Sequence, residues 1–74
     1  MHIKGIVNGD IDILDDSVQY AICSDDKDFT ILSKGHQAIK DAIFIRNGQY
    51  IEISGIMDKE KIISNRSRID ITRL

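Results

Sequence analysis

The sequence predicts an all-β domain, a five-stranded Greek-key barrel with one short helix between the third and fourth strands. Three observations carry that expectation. Isoleucine fills sixteen of the 74 positions, and its β-branched side chain suits a pleated, half-buried surface. Turn signals at Asn8-Gly9-Asp10, Leu14-Asp15-Asp16-Ser17, Ser24-Asp25-Asp26-Lys27-Asp28, Asn47-Gly48 and Asp58-Lys59-Glu60-Lys61 cut the chain into short pieces. Apolar residues recur at strand spacing in all of these pieces but one, residues 35–46, where the spacing is helical.

The first strand opens at residues 3–7, and two continuations stand open. Asn8-Gly9 is either a bend, with the strand running on through Ile11 and Ile13, or a two-residue hairpin turn. A barrel favours the bend, because its first strand pairs at both ends. Residues 18–24 form the second strand, with Val18, Tyr20 and Ile22 on one face and Gln19, Ala21 and Cys23 on the other. Residues 29–33 form the third.

Within residues 35–46, Ala38, Ile39, Ala42 and Ile43 make an i, i+4 apolar stripe. Ser33 is the expected cap, Asn47-Gly48 the expected left-handed stop, and Lys40, Asp41 and Arg46 are expected in solvent. A helix this short is marginal alone, so the stripe is expected to plug the open end of the barrel. The fourth strand, residues 49–57, turns Ile51 and Ile53 inward and Tyr50, Glu52 and Ser54 outward, and bends at Gly55. The last strand puts Ile63, Ile69 and Ile71 on one face and Arg66, Arg68, Asp70 and Thr72 on the other.

Residues 1–74 read as one domain, near the lower limit at which a chain buries its own core. The lone Cys23 excludes an internal disulfide, and His2 and His36 make no ligand spacing, so stability falls to packed aliphatics or to a partner subunit, which leaves a homo-oligomer open. With 30% charged and 42% hydrophobic residues the composition is that of a soluble globular domain. No apolar run reaches the roughly 20 residues of a membrane span, and no membrane partner is expected. The first residues lack a signal-peptide pattern and the unpaired cysteine suits a reducing compartment, which together predict a cytoplasmic location. The Asn65-Arg66-Ser67 sequon then reads as chance.

The net charge of −2 gives no overall basic field, but its distribution is uneven. Residues 1–30 carry seven aspartates against Lys4 and Lys27, whereas residues 31–74 carry five acids against eight bases. Such a chain can present a local basic stripe while remaining acidic overall, and the same charges equally fit solvated turn and strand faces. Asp25, Asp26 and Asp28 lack the glycine and distal glutamate of a calcium loop, and read as a solvated turn. Nothing assembles a nucleophile, a base and an oxyanion site, so no enzyme, cofactor or metal site is expected.

The order of helix, Asn47-Gly48, Tyr50-Ile51-Glu52-Ile53-Ser54-Gly55-Ile56, charged turn and alternating last strand resembles the carboxy-terminal half of OB-fold nucleic-acid-binding domains of the single-strand binding and replication-protein type. Gly48 and Gly55 match the glycines that flank the fourth strand in those families. The resemblance implies a binding face on the second and third strands and the loops beside them. By position it implies Tyr20 and Phe29 as stacking residues and Lys34, Lys59, Lys61, Arg66 and Arg68 as phosphate contacts. Tyr20 and Phe29 share the parity of Ile22 and Ile31, which also fits core packing, whereas Tyr50 lies opposite Ile51 and Ile53 and is the aromatic best placed to bind. Arg66 and Arg68 share one face of the last strand, where charge also guards an edge. The resulting expectation is a small non-enzymatic OB-fold protein that binds single-stranded nucleic acid through strands two, three and five and the loop between strands four and five. The alternative is a protein–protein interaction module or small non-catalytic subunit.

Overall fold

The structure is a computed structural model and describes residues 1–70. Its elements are β1 (His2–Val7), β2 (Asp12–Ile13), β3 (Ser17–Ser24), β4 (Lys27–Lys34), α1 (Gly35–Phe44), β5 (Tyr50–Asp58) and β6 (Lys61–Ile69). The strands order as β1-β5-β6-β4-β3-β2, and an additional β1–β3 pairing closes the five long strands into a barrel. β4 and β6 pair in parallel while the other ladders are antiparallel. With α1 between the third and fourth barrel strands, this is the OB arrangement expected from the sequence. Ile71 and Thr72, assigned above to the last strand, lie outside the described residues.

Asn8-Gly9 is a bend. Val7 pairs with Ile22 and Ile13 with Val18, both antiparallel to β3, so β2 continues in the direction of β1 after residues 8–11 loop out. A hairpin would have paired β1 with β2. Gly9 takes the left-handed φ of 99° that this bend requires. The β3–β4 turn is the pair Asp25-Asp26, whose φ of 52° and 63° match the two-residue hairpin turn that suits the twist of the flanking strands.

The core is largely aliphatic: Val7, Val18, Ile22, Ile31, Ile45, Ile51, Ile53 and Ile62, with Tyr20 and Ala38 among them. Gly55 marks a bulge in the β5–β6 ladder, as expected, and a β-carbon there would run into the Ile63 carbonyl. The bulge corrects the reading of the last strand. Ser54 pairs with Arg66 but Gly55 with Ser64, so Asn65 is an extra residue and the side-chain parity shifts across it. Ile62 and Ser64 point inward before the shift, Ser67 and Ile69 after it, and Ile63 is only half-buried.

The helix corrects three further expectations. Ser33 is no cap; the capping position is Lys34, without a side-chain bond, and the Ser33 hydroxyl is buried and donates to Asp41. The helix stops at Phe44, with Ile45 extended, before Asn47-Gly48; Gly48, at φ 90°, instead donates its N–H to the Val7 carbonyl at 2.8 Å. The inward face is Ala38, Asp41, Ala42 and Ile45, so Ile39 and Ile43 stand 60% and 58% exposed while Asp41, expected in solvent, is 1% exposed.

The physical reason for that rotation is the Asp41 carboxylate. Oδ1 accepts from Gln37 Nε2 at 2.9 Å and from Ser67 Oγ at 2.6 Å, and Oδ2 accepts from the Ser33 hydroxyl and from the Tyr20 hydroxyl at 3.4 Å. A buried carboxylate is tolerated only when its lone pairs are filled. Four donors from β3, β4, α1 and β6 fill them, which fastens the helix to the barrel end. Burial, followed by the Asp41 charge, pushes the Tyr20 phenol well above its ordinary pKa.

Candidate functional site

The outer face of β6 carries Lys61, Arg66 and Arg68, because the residues before the bulge and after it alternate in and out of the barrel. Barrel closure then sets β5 and β1 beside β6. Arg68 lies opposite Glu52, which lies opposite Lys4; Arg66 lies opposite Ser54, which lies opposite His2. The result is a row of bases around one acid. Glu52 Oε2 is 3.4 Å from His2 Nε2 and 3.7 Å from Lys4 Nζ, and Oε1 is 3.7 Å from Arg68 Nη2. Among the described residues no carboxylate comes within ion-pair distance of Arg66. His2, Glu52, Ser54, Arg66 and Arg68 together line a shallow groove of about 330 Å³.

A second cleft, of about 430 Å³, adjoins this groove through His2. Phe29 and Tyr50 line it with Lys4 and Lys27, joined by Ser24 and Asp25 of the β3–β4 hairpin. Two of the three aromatics expected to bind are therefore brought to one cleft. Both residues are half-buried, and Phe29 packs against the core.

The third, Tyr20, is 3% exposed and bonded to Asp41; its ring belongs to the core and offers no stacking surface. Lys59 and Lys61 sit at the β5–β6 hairpin, where Lys59 takes a left-handed φ of 58° and Lys61 Nζ donates to Gln19 Oε1 at 3.0 Å. Lys34 is exposed at the far end of β4, away from the Phe29–Tyr50 cleft. The outward residues of β3 and β4, namely Ser17, Gln19, Ala21, Cys23, Asp28, Thr30, Leu32 and Lys34, include no aromatic, and their one base, Lys34, sits at the strand end. Sequence reasoning missed His2, Lys4 and Lys27. The alternation of His2 and Lys4 with Ile3 and Gly5 was the available signal for the first two.

No protein-family model and no curated protein matches the chain by sequence. Solved structures of low sequence identity share its fold. The small single-stranded DNA-binding protein from Streptomyces coelicolor superposes with a TM-score of 0.75 at 14% identity, over 99% of this chain and 93% of that one. A ZRD-deleted mutant of TiaS, solved in complex with agmatine, superposes with a TM-score of 0.79 at 18% identity over 92% of this chain, which spans only 20% of TiaS. At such identities the likeness speaks for architecture, and together with the closed strand order it identifies the chain as an OB-fold barrel.

Proposed function

We propose that this barrel binds single-stranded nucleic acid along the outer face of β1, β5 and β6, without catalysis, in a reducing cytoplasm. The observation that carries the proposal is one continuous surface in which the Lys4, Arg66 and Arg68 row meets the Phe29–Tyr50 cleft. A single strand needs both parts: cations that track its phosphates, and rings on which bases stack at about 1 to 3 kcal/mol each. Lys61 and Lys59 extend the row along β6 toward the hairpin, and Lys34 adds a more distant contact. The shared architecture and nearly full-length match to a small single-stranded DNA-binding protein support the same reading. The surface differs from the one usual for the fold, because β3 and β4 turn a largely uncharged face outward. Nucleic acid is therefore expected to run across β1 and β5.

The test is fluorescence anisotropy of a labelled oligothymidine at low salt and through a salt series. If Lys4, Arg66 and Arg68 each meet one phosphate, log K falls against log salt with a slope of about −2. Absence of binding at low salt contradicts the proposal.

A further inference from the structure

The rotation of α1 leaves an apolar groove on the side of the barrel bounded by β2 and its loops. Ile13, Leu14, Val18, Ala38, Ile39 and Ala42 line it, and its volume is about 400 Å³. Ile13, Leu14 and Ile39 are each at least half exposed, and Ile43 continues the Ile39 ridge by one helical turn. Nothing in the barrel needs these side chains outside. Asp15 and Asp16 form one wall beside them, and Asp10 and Asp12 lie just before in the chain. Residues 10–16 contain four aspartates and no base.

We infer that this groove docks an amphipathic helix of a partner protein whose apolar stripe is bordered by lysine or arginine. The i, i+4 ridge of Ile39 and Ile43 is the surface against which a second helix packs ridge into groove, and the floor accepts apolar anchors at that spacing. Charge selects the occupant. The aspartate wall repels nucleic acid and anionic lipid surfaces, and attracts a segment whose cations flank its anchors. The inference does not depend on the nucleic-acid reading, because the groove shares no lining residue with the Phe29–Tyr50 cleft or the arginine groove.

The experiment is a titration of the isotope-labelled full chain with two designed 14-residue peptides that share one leucine stripe, bordered by lysine in one and glutamate in the other. The lysine peptide is expected to bind at least tenfold more tightly, with amide shifts centred on Ile13, Leu14 and Ile39. Ile39→Gln, at an exposed position, is expected to remove binding without lowering the melting temperature, and Asp15→Lys with Asp16→Lys to reverse the preference. Equal affinity for both peptides, or shifts centred elsewhere, overturns the inference. So does a concentration-dependent dimer in sedimentation that Ile39→Gln abolishes, since the groove would then be a self-contact.

Discussion

Arg68 stands directly across the β5–β6 ladder from Glu52, its guanidinium 3.7 Å from the carboxylate. The same carboxylate faces Lys4 and His2, so one acid neutralises two of the bases proposed to meet phosphate, Lys4 and Arg68. A phosphate that met Lys4 and Arg68 would compete with Glu52 for them. Glu52→Gln keeps the shape and removes the competing charge. Partly exposed pairs of this kind are worth up to about 1 kcal/mol each, so the expected result is about a fivefold gain in single-strand affinity. Anisotropy titration checks it; unchanged or weaker binding would show that Glu52 does not compete.

Arg66→Ala and Arg68→Ala are expected to weaken binding with little effect on stability, because both side chains are exposed. Each change is expected to reduce the magnitude of the salt slope by about 0.7, the signature of one lost phosphate contact on a single strand. Loss of affinity at constant slope would place the arginines outside the phosphate path.

Tyr20 gives the protein a specific alkaline weakness. Its phenol is held protonated in the folded state well above the ordinary value by burial and by the Asp41 charge. A raised folded pKa contributes fully below the unfolded pKa of about 10, and that contribution is lost as pH rises beyond it. Denaturant titrations from pH 8 to 11 are therefore expected to show falling stability above about pH 10. In Tyr20→Phe this part of the fall is expected to vanish, and a parallel fall in both proteins would dismiss it.

Asp41 fastens α1 to the barrel. Asp41→Ala leaves the hydroxyls of Ser33, Tyr20 and Ser67 without their acceptor, and a destabilisation of about 3 kcal/mol or more is expected. Asp41→Asn turns one acceptor into a donor that faces other donors, and is expected to destabilise as well. Urea unfolding reads both; a wild-type midpoint in either would dismiss the carboxylate as the fastening.

The barrel was legible because period-two alternation survives in β3 and β5, where Val18, Tyr20, Ile22, Ile51 and Ile53 all face inward as the pattern requires. Gly55 was legible as a bend for its missing side chain. Asn65 was not, since nothing in an asparagine marks the extra residue of a bulge, and the inward residues of β6 before it were read one position off. The helix was misread for a different reason. Ala38, Ile39, Ala42 and Ile43 are the better apolar stripe locally, and the donors that draw Asp41 inward come from positions 20, 33 and 67. The pairing of Arg66 and Arg68 on one face was visible in their spacing. Their juxtaposition with His2 and Lys4 depends on closure of β1 onto β5, a contact between opposite ends of the chain.

The most direct test is amide and side-chain shift mapping of the labelled protein with an eight-nucleotide oligothymidine. Lys4, Tyr50, Arg66 and Arg68, with the Phe29 and Tyr50 rings, are expected to shift together, while Ala21, Thr30 and Leu32 stay in place. Shifts confined to the β3–β4 face, or none at saturating oligonucleotide and low salt, would contradict a binding surface on β1, β5 and β6.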